Sequence, residues 1–148
     1  MTPRPPPIAI GLGCRSGVPG DAVVHIVRAA LDRLGLDPAM LAHGAGLLCT
    51  SVEKQSEPGL VEAAVGLGLP LVLLPKSALA AVSDAVETRS DRVVALFGLP
   101  GIAETAALAG AGPGARLVLP RIAEAGVTCA VATARADFAE RAMLGGKP

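Results

Sequence analysis

The residues whose types and spacing could support chemistry fall in three short stretches. The first is Gly11-Leu12-Gly13-Cys14-Arg15-Ser16-Gly17, which follows an apolar run and precedes Pro19 and Asp21. A strand that breaks at glycines and feeds a helix gathers backbone N–H groups and a positive helix end at one spot, which favours anions. Arg15 adds a full positive charge there. The second is Ser51-Val52-Glu53-Lys54-Gln55-Ser56-Glu57, a polar loop in a chain that is 51% hydrophobic. Lys54 suits a carboxylate partner, and Glu57, just before Pro58, either caps a helix or faces a ligand. In the third, Gly98-Leu99-Pro100-Gly101 turns into an apolar helix that carries Glu104. A lone carboxylate in so apolar a helix lies on its wet face or is buried with a partner such as Lys54 or Arg15.

Other chemistries are poorly served. A dinucleotide fingerprint needs G-x-G-x-x-G, but Ser16 stands where the third glycine belongs, and Ser51 and Val52 replace the acidic residue that would end the second strand. A nucleotide-binding module therefore rests on the glycine turn alone. Cys14, beside Arg15 and a helix start, has the setting of a thiol with a lowered pKa. It has no histidine nearby, and a small half-buried residue is the simpler reading. Cys49 and Cys129 lie inside strands and read as core. His25 and His43 have no companions at metal-ligand spacing, so no metal site and no cofactor is expected.

The bulk composition narrows the class further. The chain has 148 residues, 13 basic and 13 acidic, with no basic block, so nucleic acid is not an expected partner. Phe97 and Phe138 are its only aromatic residues, which leaves a core of Ala, Val, Leu and Ile. No apolar run reaches the roughly 20 residues of a membrane span. Three widely spaced cysteines and no apolar leader fit a reduced, cytoplasmic protein.

These stretches need a frame to bring them together. Residues 1–7 read as a disordered Pro-rich lead-in, 8–133 as one α/β domain, and 134–148 as a terminal helix or frayed tail. Strands are expected at residues 8–13, 47–52, 69–74, 117–119 and 127–132, with 93–97 a further short strand or extended segment. Helices are expected from Pro19 to about Leu34, from Pro58 to Gly66, at 77–82 and at 102–108, with a helical turn at 37–43 and loop from Ser83 to Arg92. Only seven residues separate the last two strands, which is too few for a helical crossover, so they form an antiparallel hairpin. The fold expected is a mixed, mostly parallel sheet of about five strands with helices on both faces. Ligands in such sheets bind at the carboxyl ends of the strands. Those ends carry Gly13 to Gly17, Ser51 to Glu57 and Gly98 to Gly101.

Taken in order, these motifs, with Leu117-Val118-Leu119-Pro120-Arg121 and Val127-Thr128-Cys129-Ala130-Val131-Ala132, resemble the CobE family of cobalamin biosynthesis. The same domain forms the C-terminal part of CbiG proteins. The resemblance covers about residues 8–133. It implies ligand-binding roles for Gly13, Cys14, Arg15, Ser51 and Lys54, with Gly98, Gly101 and Arg121 on the same edge, and carries Glu104 and Thr128 as matching positions. Ser16, Val18 and Gly101 depart from the family pattern, and Arg121 replaces a frequent lysine. The implied ligand is a tetrapyrrole-derived corrin intermediate rich in carboxylates, received by an accessory or carrier protein. CbiG proteins are associated with opening a ring lactone with loss of acetaldehyde. A hydrolase of that kind would need a base, for which Glu57 and Glu104 are the candidates. Other enzymes of the pathway, ring methyltransferases among them, are the implied protein partners.

Overall fold

The computed structural model describes residues 6–89 and 101–135, with side chains described outside 83–89. The expected strand or extended segment at 93–97, Gly98 and the terminal helix lie outside these residues, as does most of the lead-in. Five strands and four α-helices are described: β1 (Ile8–Cys14), α1 (Gly20–Arg33), β2 (Gly46–Ser51), α2 (Pro58–Leu67), β3 (Leu71–Leu74), α3 (Lys76–Arg89), α4 (Ile102–Ala111), β4 (Arg116–Glu124) and β5 (Val127–Thr133). Short 3-10 turns cover Pro38–Leu41 and Val52–Lys54.

The sheet order is β3-β2-β1-β5-β4. β1 pairs parallel to β2, and β2 parallel to β3, whereas β5 is antiparallel to both β1 and β4. Four of the five strands therefore run one way and β5 alone runs the other. This is the mixed α/β sheet with a terminal hairpin that the sequence predicts.

The alternation of β1 sorts two different cores onto the two faces. Ile8, Ile10 and Leu12 point into a large aliphatic cluster with Val23, Ile26, Val27 and Leu31 of α1 and Leu60 and Leu67 of α2. Ala9 points the other way, into a layer of small residues with Cys49, Ala130 and Ala132 of the sheet and Ala103, Ala106 and Ala107 of α4. The small layer lets α4 lie nearly flush on the sheet. A Cβ at Gly11 would overlap the carbonyl oxygen of Ala103 and stand 2.6 Å from the amide of Ala107. Gly11 and Gly13 thus sit within β1, under a helix. They are not the cradle that the sequence places at the strand exit; the turn itself is Arg15 to Gly17.

Two expected boundaries move. α3 runs to Arg89, where a polar loop is expected from Ser83. The stretch contains no glycine or proline, and Ala85, Glu87 and Arg89 are good helix formers, so polarity alone was no reason to end it. β4 continues through Pro120 to Glu124. Its register with β5 shifts between Leu117 and Leu119 and again between Leu119 and Ile122, and such irregularities on an edge strand accommodate a proline. The hairpin then closes in two residues, Ala125 and Gly126, both at positive φ (54° and 82°). That is the handedness two-residue hairpins prefer, but a Cβ disfavours it. Ala125→Asn is expected to raise stability by about 0.5–1 kcal/mol, read as a higher urea midpoint. A midpoint that stays put or falls would contradict this view of the turn.

Because α1, α2 and α3 each directly follow a parallel strand, all three begin at the carboxyl edge of the sheet. α4 does too, since Gly13 lies against Ile102 and Ala103, whereas Gly110 lies near Ala9. The positive ends of four helix dipoles therefore collect on one edge.

Candidate functional site

The carboxyl edge gathers the sequence-predicted residues in two groups, one around the loops after β1 and β2, the other around the start of α4. In the first, Ser51 ends β2 and its hydroxyl oxygen accepts a hydrogen bond from the Glu53 amide at 3.2 Å. The chain then turns tightly, with Gln55 N donating to Val52 O and Glu57 N to Lys54 O. The turn aims Glu57 back at the first loop, where its carboxylate accepts from the Gly17 amide at 2.9 Å. Glu57 thereby ties the loops after β1 and β2 together. An anion already occupies part of the amide cluster that the sequence offers to a ligand. Cys14 sits half-buried beside this bridge, packed against the aliphatic core. Burial pushes its thiol above the ordinary range; Lys54 pulls the other way and Glu57 adds to the rise. The lowered pKa considered from sequence is not found, because desolvation outweighs the cation. Cys49 and Cys129 are pushed up to about 12 by burial, and Cys49 donates to the Ala106 carbonyl at 3.1 Å. All three thiols therefore stay protonated at neutral pH.

On the α4 side, Gly101 precedes the helix and has no Cβ. That absence admits the guanidinium of Arg121, whose Nη1 lies where a side chain would be, 2.7 Å from an ideal Cβ. Glu104, half-buried in the first turn, accepts from the Arg121 backbone amide at 3.3 Å. The partner expected for Glu104, Lys54 or Arg15, is thus replaced by the β4 backbone. Thr128 donates to the Gly13 carbonyl at 3.3 Å and lies beneath the same helix start.

Arg15 stands by the β4–β5 turn. Its amide donates to Gly126 O at 3.0 Å, and its guanidinium lies over Gly126, whose missing side chain makes the room. Sequence reading did not name Gly126; a glycine closing a hairpin beside the edge was the available signal. Lys76 was also missed. It opens α3 just past β3 and meets Glu53 at 2.9 Å. Among the described residues, no group of three or more metal-ligating side chains comes together.

An open cleft of about 330 Å³ lies elsewhere, along the outer side of α1, lined by His25, Arg28, Ala29, Asp32, Leu36, Asp37 and Pro38. It shares no residue with the carboxyl edge.

Comparison with known proteins bears on what this edge serves. The family described as "Cobalamin synthesis G C-terminus" matches residues 8–132. The chain belongs to that family. Membership gives it a role in cobalamin biosynthesis. Among relatives in the family, Protein CobE of Sinorhizobium sp is 32% identical over 125 residues, which is 84% of this chain and 79% of the relative. The crystal structure of cobalamin biosynthesis protein chiG from Agrobacterium tumefaciens is 40% identical, with a TM-score of 0.70 over 85% of this chain and 97% of that one. That of CobE is 27% identical, with a TM-score of 0.69 over 89% and 93%. A cobalamin biosynthesis protein G homologue from Sulfolobus solfataricus shares the fold at 22% identity and a TM-score of 0.62, over 88% of this chain but 37% of its own. Among the described residues no helix is long and apolar enough to cross a membrane.

Proposed function

We propose that this member of the cobalamin synthesis family binds a polycarboxylate corrin-ring intermediate at the carboxyl edge of its sheet, as a cytoplasmic accessory or carrier protein. The observation that carries the reading is the shared edge itself: four helix N-termini with Arg15, Lys54 and Arg121 beside them. Acetate- and propionate-type side chains meet such an edge through charge-assisted hydrogen bonds to arginine and to free helix amides. α4 begins without a side-chain cap, which leaves first-turn amides for a ligand, whereas the start of α1 is packed against α2 with the Glu62 carboxylate beside Gly20. Adding a corrin-ring intermediate to the protein is expected to shift its visible spectrum at micromolar concentration, with affinity falling as salt rises. An unchanged spectrum throughout that range would remove the proposal.

A hydrolytic reading uses Glu57 or Glu104 as the base for water. Each has one carboxylate oxygen holding a backbone amide, and each stands at the proposed ligand edge. Among the described residues no hydrogen bond joins either carboxylate to a second catalytic side chain, and binding without turnover is the expected result. No acetaldehyde should appear when a lactone-bearing intermediate is mixed with the protein, and Glu104→Gln should leave that unchanged. Release of acetaldehyde that disappears in Glu104→Gln or Glu57→Gln would establish the hydrolase instead.

A further inference from the structure

Lys76 is placed oddly for a residue with only a structural role. It is the first residue of α3, where the helix dipole is positive and a cation is disfavoured. Its ammonium is held 2.9 Å from the carboxylate of Glu53, which accepts its hydrogen bond and raises its pKa. Both side chains are mostly exposed, at 77% and 58%, so the pair itself adds little to stability. Its position is well defined in the sheet. β3 pairs Leu74 with Ser51 of β2, and Lys76 follows two residues later, level with the turn that carries Glu53 and Lys54. α3 packs beside α4 on the same face of the sheet, with Lys76 past β3 at one end of the strand order and Arg121 on β4 at the other. Lys76 thus adds a cation to the part of the edge where the Ser51 to Glu57 turn carries Lys54. A cation set against a helix dipole breaks a local rule, and proteins break such rules at functional sites.

We infer that Lys76 is a ligand-binding cation of this edge, held by Glu53 in the free protein and transferred to a carboxylate of the ligand when one arrives. The inference rests on the polycarboxylate reading above and adds a residue to it. No covalent step is involved; one ion pair replaces another, and the displaced Glu53 returns to water.

The two partners then have opposite effects on binding, which a merely structural pair would not produce. The probe is the polycarboxylate tetrapyrrole uroporphyrin, followed by its absorption during titration of the full chain. Lys76→Gln is expected to weaken binding about fivefold. Lys76→Arg should restore most of the loss, because it restores the charge. Glu53→Gln is expected to tighten binding about twofold to threefold, because it removes the competing carboxylate. Arg28→Gln, on the outer face of α1, should bind as the wild type does. Thermal unfolding without ligand should give Lys76→Gln a Tm no lower than that of the wild type, which separates lost binding from lost folding. If the wild type binds and Lys76→Gln matches it, or if Glu53→Gln weakens binding, the role of Lys76 is overturned while the edge survives as a site. If the wild type does not bind uroporphyrin, the polycarboxylate reading fails and takes Lys76 with it.

Discussion

Gly11→Ala is expected to be the most damaging single methyl in the protein, costing about 3 kcal/mol or more and leaving little folded material. The added Cβ would overlap the Ala103 carbonyl oxygen, and the Ala107 amide and Ala103 carbonyl carbon follow at 2.6 and 3.0 Å. All three are helix backbone, so no side chain can rotate away. Relief requires α4 to lift off the sheet, which would open the layer that Ala103, Ala106 and Ala107 make with Ala9, Cys49, Ala130 and Ala132. Gly13→Ala is the control. Its new Cβ would meet the Thr128 hydroxyl at 2.7 Å, a side-chain atom that can turn aside, with the next neighbour at 3.6 Å. That variant should fold, at a cost of about 1 kcal/mol. Urea unfolding of both decides the matter. A Gly11→Ala midpoint close to wild type would mean that α4 is not seated on β1 in this way.

The largest effect on binding is expected from the two arginines at the edge. Arg15 and Arg121 each lie beside a glycine, Gly126 and Gly101, whose missing side chain leaves room for the guanidinium group. A planar fork of this kind takes a carboxylate with two parallel hydrogen bonds. Removing either group should weaken binding of a corrin-ring intermediate by about 1.5–3 kcal/mol, or roughly tenfold to a hundredfold. Arg15→Lys and Arg121→Lys should recover only part of the loss, since a lysine keeps the charge without the fork. Equal affinities for wild type, Arg15→Ala and Arg121→Ala would exclude both from the site.

Much of this arrangement is legible in the sequence. The order of strands and helices follows from short apolar runs, Pro58 and Pro19 near helix starts, and glycines such as Gly68 at a helix end. The terminal hairpin follows from the short spacing before Val127. What misleads is punctuation. Pro120 reads as a strand end, yet an edge strand with a shifted register carries it. Ser83 to Arg89 reads as loop because it is polar, yet nothing in it breaks a helix. The glycines of β1 mislead most. Gly11-Leu12-Gly13 has the look of a phosphate cradle, and only the packing of α4 shows that the missing side chains make space for a helix. The same limit applies at the edge. The basic residues can be found by their places just past strand ends, but their partners cannot. Glu57 holding Gly17, and Glu104 holding the Arg121 amide, are contacts between residues far apart in the chain. Residue types alone present those two carboxylates as a pair of bases, whereas the structure gives each a separate backbone amide.

The ligand belongs on the carboxyl edge, and backbone amide NMR during titration with a corrin-ring intermediate locates it. Shifts should concentrate at Arg15 to Gly17, Ser51 to Glu57 and Gly101 to Glu104, with little change at Ala45, Leu69 or along the α1 cleft from His25 to Leu36. Shifts centred on that cleft, with the carboxyl edge unmoved, would put the ligand elsewhere and end the proposal.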